Sequence, residues 1–232
     1  MHNTALFPGL ADRMAKRRGG RTHIFDAFDA RRTALIVVDM QTFFCDTATS
    51  GGQHTVDIVP SVNRLAAGVR AAGGTVVWIV TTFTEATAQS WSTLFDLFCS
   101  PPVRERLLGG LGPGGWGHGL HADLVVAPGD LTVEKDRFSP FIADASTLHA
   151  DLQARGIDTI VIAGTETNVC CESTARDGMM LNYKTAMVWD ANAAHDDDHH
   201  NSALSNVYGF IDVMTVDEVL ARLAPATQAA AE

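Results

Sequence analysis

Three kinds of reactive side chain stand where hydrophobic runs of this chain stop. Asp39 closes ALIVVD, Lys135 closes LTVEK, and Cys170 and Cys171 follow the run TIVIA within GTETNVCCESTARDGMM. A carboxylate can carry a proton to and from a reacting group. A cation beside a thiol favours the thiolate, which is the nucleophilic form. A cysteine at the start of a helix also lies near roughly +0.5 of a charge from the macrodipole, which acts in the same direction. Each residue taken singly has an ordinary reading as well. Buried cysteines commonly serve as small core residues, a strand-end Asp can cap a turn, and a lone Lys is usually solvated.

The elements around these residues decide whether they meet. Residues 34–40, 75–81 and 159–163 are short β-branched runs bounded by turn residues, the pattern of strands buried on both faces. Further strands are expected at 185–190 and 211–215, and a short strand pair at 124–127 and 131–135 around Pro128-Gly129-Asp130. Helical periodicity covers 56–72, most of 83–108, 146–155, the stretch after Asn168, the stretch from His195 and 216–223. Such alternation implies an α/β fold, a parallel sheet with helices on both faces. Ligand sites of open parallel sheets lie beyond the carboxyl ends of the strands. Asp39, Lys135 and the Cys170 turn therefore converge on one edge despite their separation in sequence.

With 232 residues, 46% of them hydrophobic, the chain can fill one substantial core. Residues 31–232 read as a single domain, ending in an Ala-rich tail, and residues 1–30 as an arm lying on the domain or on a partner subunit. A formal net charge of -10 argues against binding to nucleic-acid phosphates. No apolar run approaches the ~20 residues of a membrane span, and the N-terminus has no signal-peptide core. Four cysteines without framework spacing point to a reducing cytoplasm. Gly110, Gly112 and Gly115 formally match G-x-G-x-x-G, but a helical pattern precedes them and no helix opens after them, so a dinucleotide site is rejected. The run HDDDHH, 195–200, offers histidines to a metal, yet reads better as an acidic helix start.

Brought together, Asp39, Lys135 and Cys170 fit acyl transfer from a carboxamide or ureide to a cysteine, followed by hydrolysis, with no metal or cofactor required. Backbone N–H groups of the turn at Glu166 to Cys170 would supply the oxyanion hole. The motifs VVDMQ, EKDRFSPF and GTETNVCCESTARDGMMLNY, in this order over about residues 32–223, resemble the isochorismatase-like cysteine hydrolases. That resemblance implies a six-stranded parallel sheet, a homodimer or homotetramer, and an Asp39–Lys135–Cys170 triad. It makes Cys170 the nucleophile, Cys171 a packing residue, and the peptide bond near Thr165-Glu166 cis. It is closest to ureidoacrylate and biuret-type amidohydrolases. The family's metal-binding nicotinamidases carry a His after the second strand, where this chain has TTFTEAT. By position, Gln41, Phe44, Trp91 and Asn168 are candidate substrate contacts, and Trp91, Phe95 and Phe98 candidate core or interface aromatics. Two other functions compete: an isochorismatase-type vinyl-ether hydrolase, which needs no cysteine, and a non-catalytic α/β binding module.

Overall fold

The computed structural model describes residues 1–49 and 51–224. Six strands form one parallel sheet: β1 (Thr33–Val38), β2 (Thr75–Thr81), β3 (Leu131–Lys135), β4 (Thr159–Thr165), β5 (Lys184–Ala193) and β6 (Asp212–Met214). Their order across the sheet is β3-β2-β1-β4-β5-β6, so β1 and β4 lie at its centre. Both are buried along their whole length, as their unbroken runs of apolar and small residues require. The expected six-stranded parallel sheet is present.

Alternate residues of each strand feed two cores. Leu35, Val37, Trp78, Val161 and Val188 face α3 (Val59–Ala71) and α9 (Val216–Arg222). Ala34, Ile36, Val38, Ile79, Ile160 and Ile162 face α6 (Leu148–Ala154), α7 (Glu172–Met180) and α8 (Asp197–Val207). A third, smaller core of Phe83, Ala88, Phe95 and Leu111 lies beyond the carboxyl edge of the sheet. It is built by α4 (Glu85–Ser90), a π-helical segment (Thr93–Phe98) and α5 (Pro101–Leu111). These elements form a cap over that edge.

Register fixes what the edge presents. Val38 lies level with Ile79 on β2 and Gly164 on β4, and Thr81 lies level with Lys135. Gly164 has φ +116°, and a Cβ there would sit 2.1 Å from the Val38 carbonyl oxygen. Only glycine allows β4 to approach β1 this closely at the point where the chain turns toward Cys170.

Two expectations change and two narrow. Residues 124–127 are not a strand, because side chains of α3 take their backbone groups: Val125 N–H donates to Asn63 (2.8 Å) and the Val125 carbonyl accepts from Arg70 (2.8 Å). The helical stretch at 56–72 is two helices, Gly52–Asp57 and α3, the second opening with Pro60 in its first turn where a missing N–H costs nothing. Of the core-or-interface aromatics, Phe95 is buried in the core and Phe98 is 80% exposed. The arm carries a helix, Leu10–Arg17, and lies along α8 of its own domain: Asn3 and Ala5 N–H groups donate to Asp197 and Asn201, and Phe7 N–H to Ser205. Further on, Asp212 receives the N–H groups of Ile24 and Phe25, and Phe28 pairs with Leu223. The Ala-rich tail from residue 225 lies outside the described residues. Among the described residues, no helix is long and apolar enough to cross a membrane.

Candidate active site

Asp39 is the first residue past β1, and its positive φ of 52° turns the chain out of the sheet. Asp tolerates this left-handed conformation better than most residues. Its N–H donates to the Ile79 carbonyl (3.1 Å), which ties the turn to β2. Lys135 is the last residue of β3, and both side chains are almost wholly buried. The three N–H donors of the ammonium each have an acceptor: Asp39 Oδ2 at 2.8 Å, Thr81 Oγ1 at 2.6 Å and Cys170 Sγ at 3.6 Å. The Thr81 hydroxyl in turn donates to Asp39 Oδ1 at 2.9 Å. Asp39, Lys135 and Cys170 thus converge as the strand-end argument requires. Thr81 completes the group. The sequence reading passed over it, although it sits one strand from Asp39 and level with Lys135.

Burial opposes the Lys135 charge, but the Asp39 carboxylate and the Cys170 sulfur outweigh it and raise the ammonium pKa above its ordinary value. Cys170 behaves differently from the expected low-pKa thiol. Burial pushes its pKa up, and Asp39, which accepts the thiol hydrogen bond, pushes the same way; Lys135 only partly offsets them. These influences favour the thiol over a preformed thiolate at Cys170. Cys170 lies within a π-helical turn, Thr167–Cys171, that runs directly into α7. The Glu166 carbonyl accepts from both Val169 and Cys171 N–H at 3.1 Å, and the Thr165-Glu166 peptide is cis. Cys171 is fully buried in the core beneath α7, with its thiol also pushed up by burial.

A cavity of about 200 Å³ opens over Cys170. Its floor is Thr81, Lys135 and Cys170, Glu166 stands at one side, and its walls are Phe44, Phe83, Leu94, Leu107, Leu111, Phe138 and Val169. Of the four candidate substrate contacts, Phe44 lines it. Gln41 does not: its fully buried amide donates to the Thr81 and His118 carbonyls and accepts from Thr81 N–H, so it braces the strand ends. Trp91 packs edge-on against Phe83, Phe95 and Phe138 and lines a neighbouring depression instead. Asn168 faces a shallow outer depression with Glu172, Asp198 and His199. The apolar walls come from the cap and from Phe138, which periodicity alone does not direct toward a site.

The remaining singled-out motifs have structural roles. Asp196 caps α8, accepting from His199 N–H at 2.8 Å, as an acidic helix start should. His200 is buried and hydrogen-bonds Thr167 at 2.9 Å, bracing the turn before Cys170. His2 of the arm stacks between His54 and His200, at centroid distances of 4.2 and 4.3 Å. The Gly-rich loop folds against the 41–45 turn, where a Cβ at Gly110 of the G-x-G-x-x-G match would stand 2.5 Å from the Phe43 ring. Close packing accounts for that glycine without a nucleotide. All four cysteines are free.

The fold is an open α/β sandwich that carries a buried Asp–Lys–Cys group at the carboxyl edge of its parallel sheet. Residues 33–218 match the Isochorismatase domain, so the chain belongs to the isochorismatase family. It is 34% identical over 224 residues to the ureidoacrylate amidohydrolase RutB of Variovorax paradoxus, covering 87% of this chain and 85% of that protein. Among solved structures, a cysteine hydrolase from Pseudomonas syringae pv. phaseolicola superposes with a TM-score of 0.75 at 30% identity, over 85% of this chain and 94% of the other. N-carbamoylsarcosine amidase from Thermoplasma acidophilum superposes with a TM-score of 0.65 at 25% identity, over 80% and 97%.

Proposed function

We propose that this hydrolase of amide C–N bonds works through Cys170, with Asp39 and Lys135 as its partners, on a small carboxamide, carbamoyl or ureido compound. The observation that carries this reading is the closed contact set of one ammonium with Asp39, Thr81 and Cys170 at the base of a cavity. Asp39 takes the Sγ proton as the sulfur pair forms a bond to the substrate carbonyl carbon, and the carbonyl π pair moves onto oxygen. Backbone N–H groups of Glu166 and Cys170 are assigned to that oxyanion. The oxygen pair then re-forms the carbonyl, the C–N bond breaks, and the departing nitrogen takes the proton from Asp39. This leaves a thioester on Cys170 and releases ammonia or an amine. Water attacks the thioester with its proton passing to Asp39, the C–S bond breaks, and the proton returns to sulfur. Lys135 keeps its proton throughout, and its charge stabilises the sulfur whenever it becomes anionic.

The names of the relatives, an amidohydrolase, a cysteine hydrolase and a carbamoyl-compound amidase, support this class. The test is release of ammonia from ureidoacrylate, biuret, N-carbamoyl amino acids and simple carboxamides by wild type and Cys170→Ala. Release that the variant loses supports the assignment. Release that survives in Cys170→Ala contradicts it, as does silence on every amide with consumption of isochorismate.

A further inference from the structure

The cavity that receives the acyl group has an unusual balance for an enzyme related to a ureidoacrylate hydrolase. Its walls are aromatic and aliphatic: Phe44, Phe83, Leu94, Leu107, Leu111 and Phe138. Its single lining cation is Lys135, whose three N–H donors already point at Asp39, Thr81 and Cys170. Its other ionisable wall group is Glu166, a carboxyl that burial holds above its usual range. The arginines around the cap are engaged elsewhere: Arg137 with Asp136 (3.0 Å) and across the Trp91 ring, Arg106 with Asp46 (2.9 Å), and Arg104 with Glu85 (2.7 Å). Among the described lining residues, none offers a free cation to a substrate carboxylate. A carboxylate placed here would exchange water for hydrocarbon and an acidic neighbour, which is strongly unfavourable without a partner.

The geometry points to an uncharged amide as the substrate, one whose acyl substituent is apolar and about the size of a single aromatic ring or a short alkyl chain. This rests on the amidohydrolase reading and refines it, and it sets the chain apart from hydrolases of anionic ureides. The size follows from the cavity, at about 200 Å³ below the roughly 300–1,000 Å³ of drug-sized ligand sites. The orientation follows from the floor: with the carbonyl carbon at Cys170 Sγ, the acyl chain has only the apolar walls to lie against.

A matched substrate pair tests this on the full chain. Hexanamide and adipic acid monoamide differ essentially in a terminal methyl against a terminal carboxylate, and ureidoacrylate and phenylacetamide extend the set. The expected kcat/KM ratio of hexanamide to the monoamide is at least about 100-fold, the discrimination expected when a site leaves a buried charge unpaired. Leu107→Arg, checked for folding by its thermal transition, should narrow that ratio by about tenfold by supplying a partner. A ratio near one, or faster turnover of ureidoacrylate than of either neutral amide, overturns the apolar assignment while leaving the amidohydrolase reading intact. An unchanged ratio in folded Leu107→Arg overturns the placement of the acyl group in this cavity. Silence on all four amides, with isochorismate consumed, overturns the amidohydrolase reading and this inference with it.

Discussion

The floor and the walls of the active-site cavity are built on opposite principles. The floor is three strand ends whose polar groups are almost completely buried and satisfy one another: Asp39, Thr81 and Lys135 share a closed set of hydrogen bonds, and Cys170 is laid onto it. The walls are side chains of a separate small core outside the sheet, joined by packing rather than by polar bonds. A buried polar network tolerates almost no loss of a member. An apolar wall tolerates resizing at a graded cost. In the proposed mechanism the chemistry sits on the polar network of the floor and the choice of substrate on the apolar walls.

Breaking the floor should have the largest effect. Lys135→Met leaves the Asp39 carboxylate buried without its cation and should cost about 3–5 kcal/mol of stability, read as a shift of the urea midpoint, with activity lost. Adding Asp39→Asn should restore most of the stability and none of the activity, since the charge is then gone together with the base. A double variant as unstable as the single one would mean that packing, not charge, sets the cost. Thr81→Val removes one hydroxyl from the same network. It should lower kcat/KM by about 10–100-fold, corresponding to the 1–3 kcal/mol of a lost buried hydrogen-bond partner.

Changes to the walls should separate binding from chemistry. Leu111 is fully buried in the cap core. Leu111→Ala should cost about 2–5 kcal/mol of stability and raise KM for an apolar amide while kcat stays within a few-fold. A fall in kcat as large as that of Thr81→Val would remove the distinction between floor and walls.

Asp39, Lys135 and Cys170 of the floor were legible in the sequence, whereas of the walls only Phe44 was, for a physical reason. Parallel strands gather their carboxyl ends on one edge whatever lies between them, so Asp39, Lys135 and Cys170 could be brought together from the order of hydrophobic runs alone. Thr81 was overlooked because a Thr at the end of a buried strand is common, and only the β2–β3 register sets it opposite Lys135. Gln41 and Asn168 lie near the site in sequence, but one braces backbone carbonyls and the other lines a separate depression with Glu172, Asp198 and His199. Which side of a short helix meets the cavity depends on how the cap elements pack. Their sequences, with buried Phe95 and exposed Phe98 in one segment, do not distinguish the two. The arm's hold on α8 was similarly hidden, since its contacts join residues nearly two hundred positions apart.

A smaller effect concerns that arm and the turn it supports. Burial lowers the His200 pKa from 6.5 to about 3, with the neighbouring His2 acting in the same direction. A buried base held neutral takes up its proton more readily in the unfolded chain. Its contribution to stability is complete above about 6.5 and is lost as pH falls from there toward about 3. The urea midpoint should therefore decline on acidification below 6.5, the unfolded value. His200→Gln should flatten part of that decline at the expense of stability at neutral pH. An equally steep decline in the variant would place the acid sensitivity elsewhere.

Rapid acid quenching during turnover of a slowly hydrolysed neutral amide, followed by intact mass and peptide mapping, shows directly which sulfur carries the acyl group. If the buried thiol of Cys170 is the nucleophile, the mass rises by that of the acyl group at Cys170 alone, an increase absent in Cys170→Ala and retained in Cys171→Ala. Acylation of Cys171, or full turnover in Cys170→Ala, excludes Cys170 from that role.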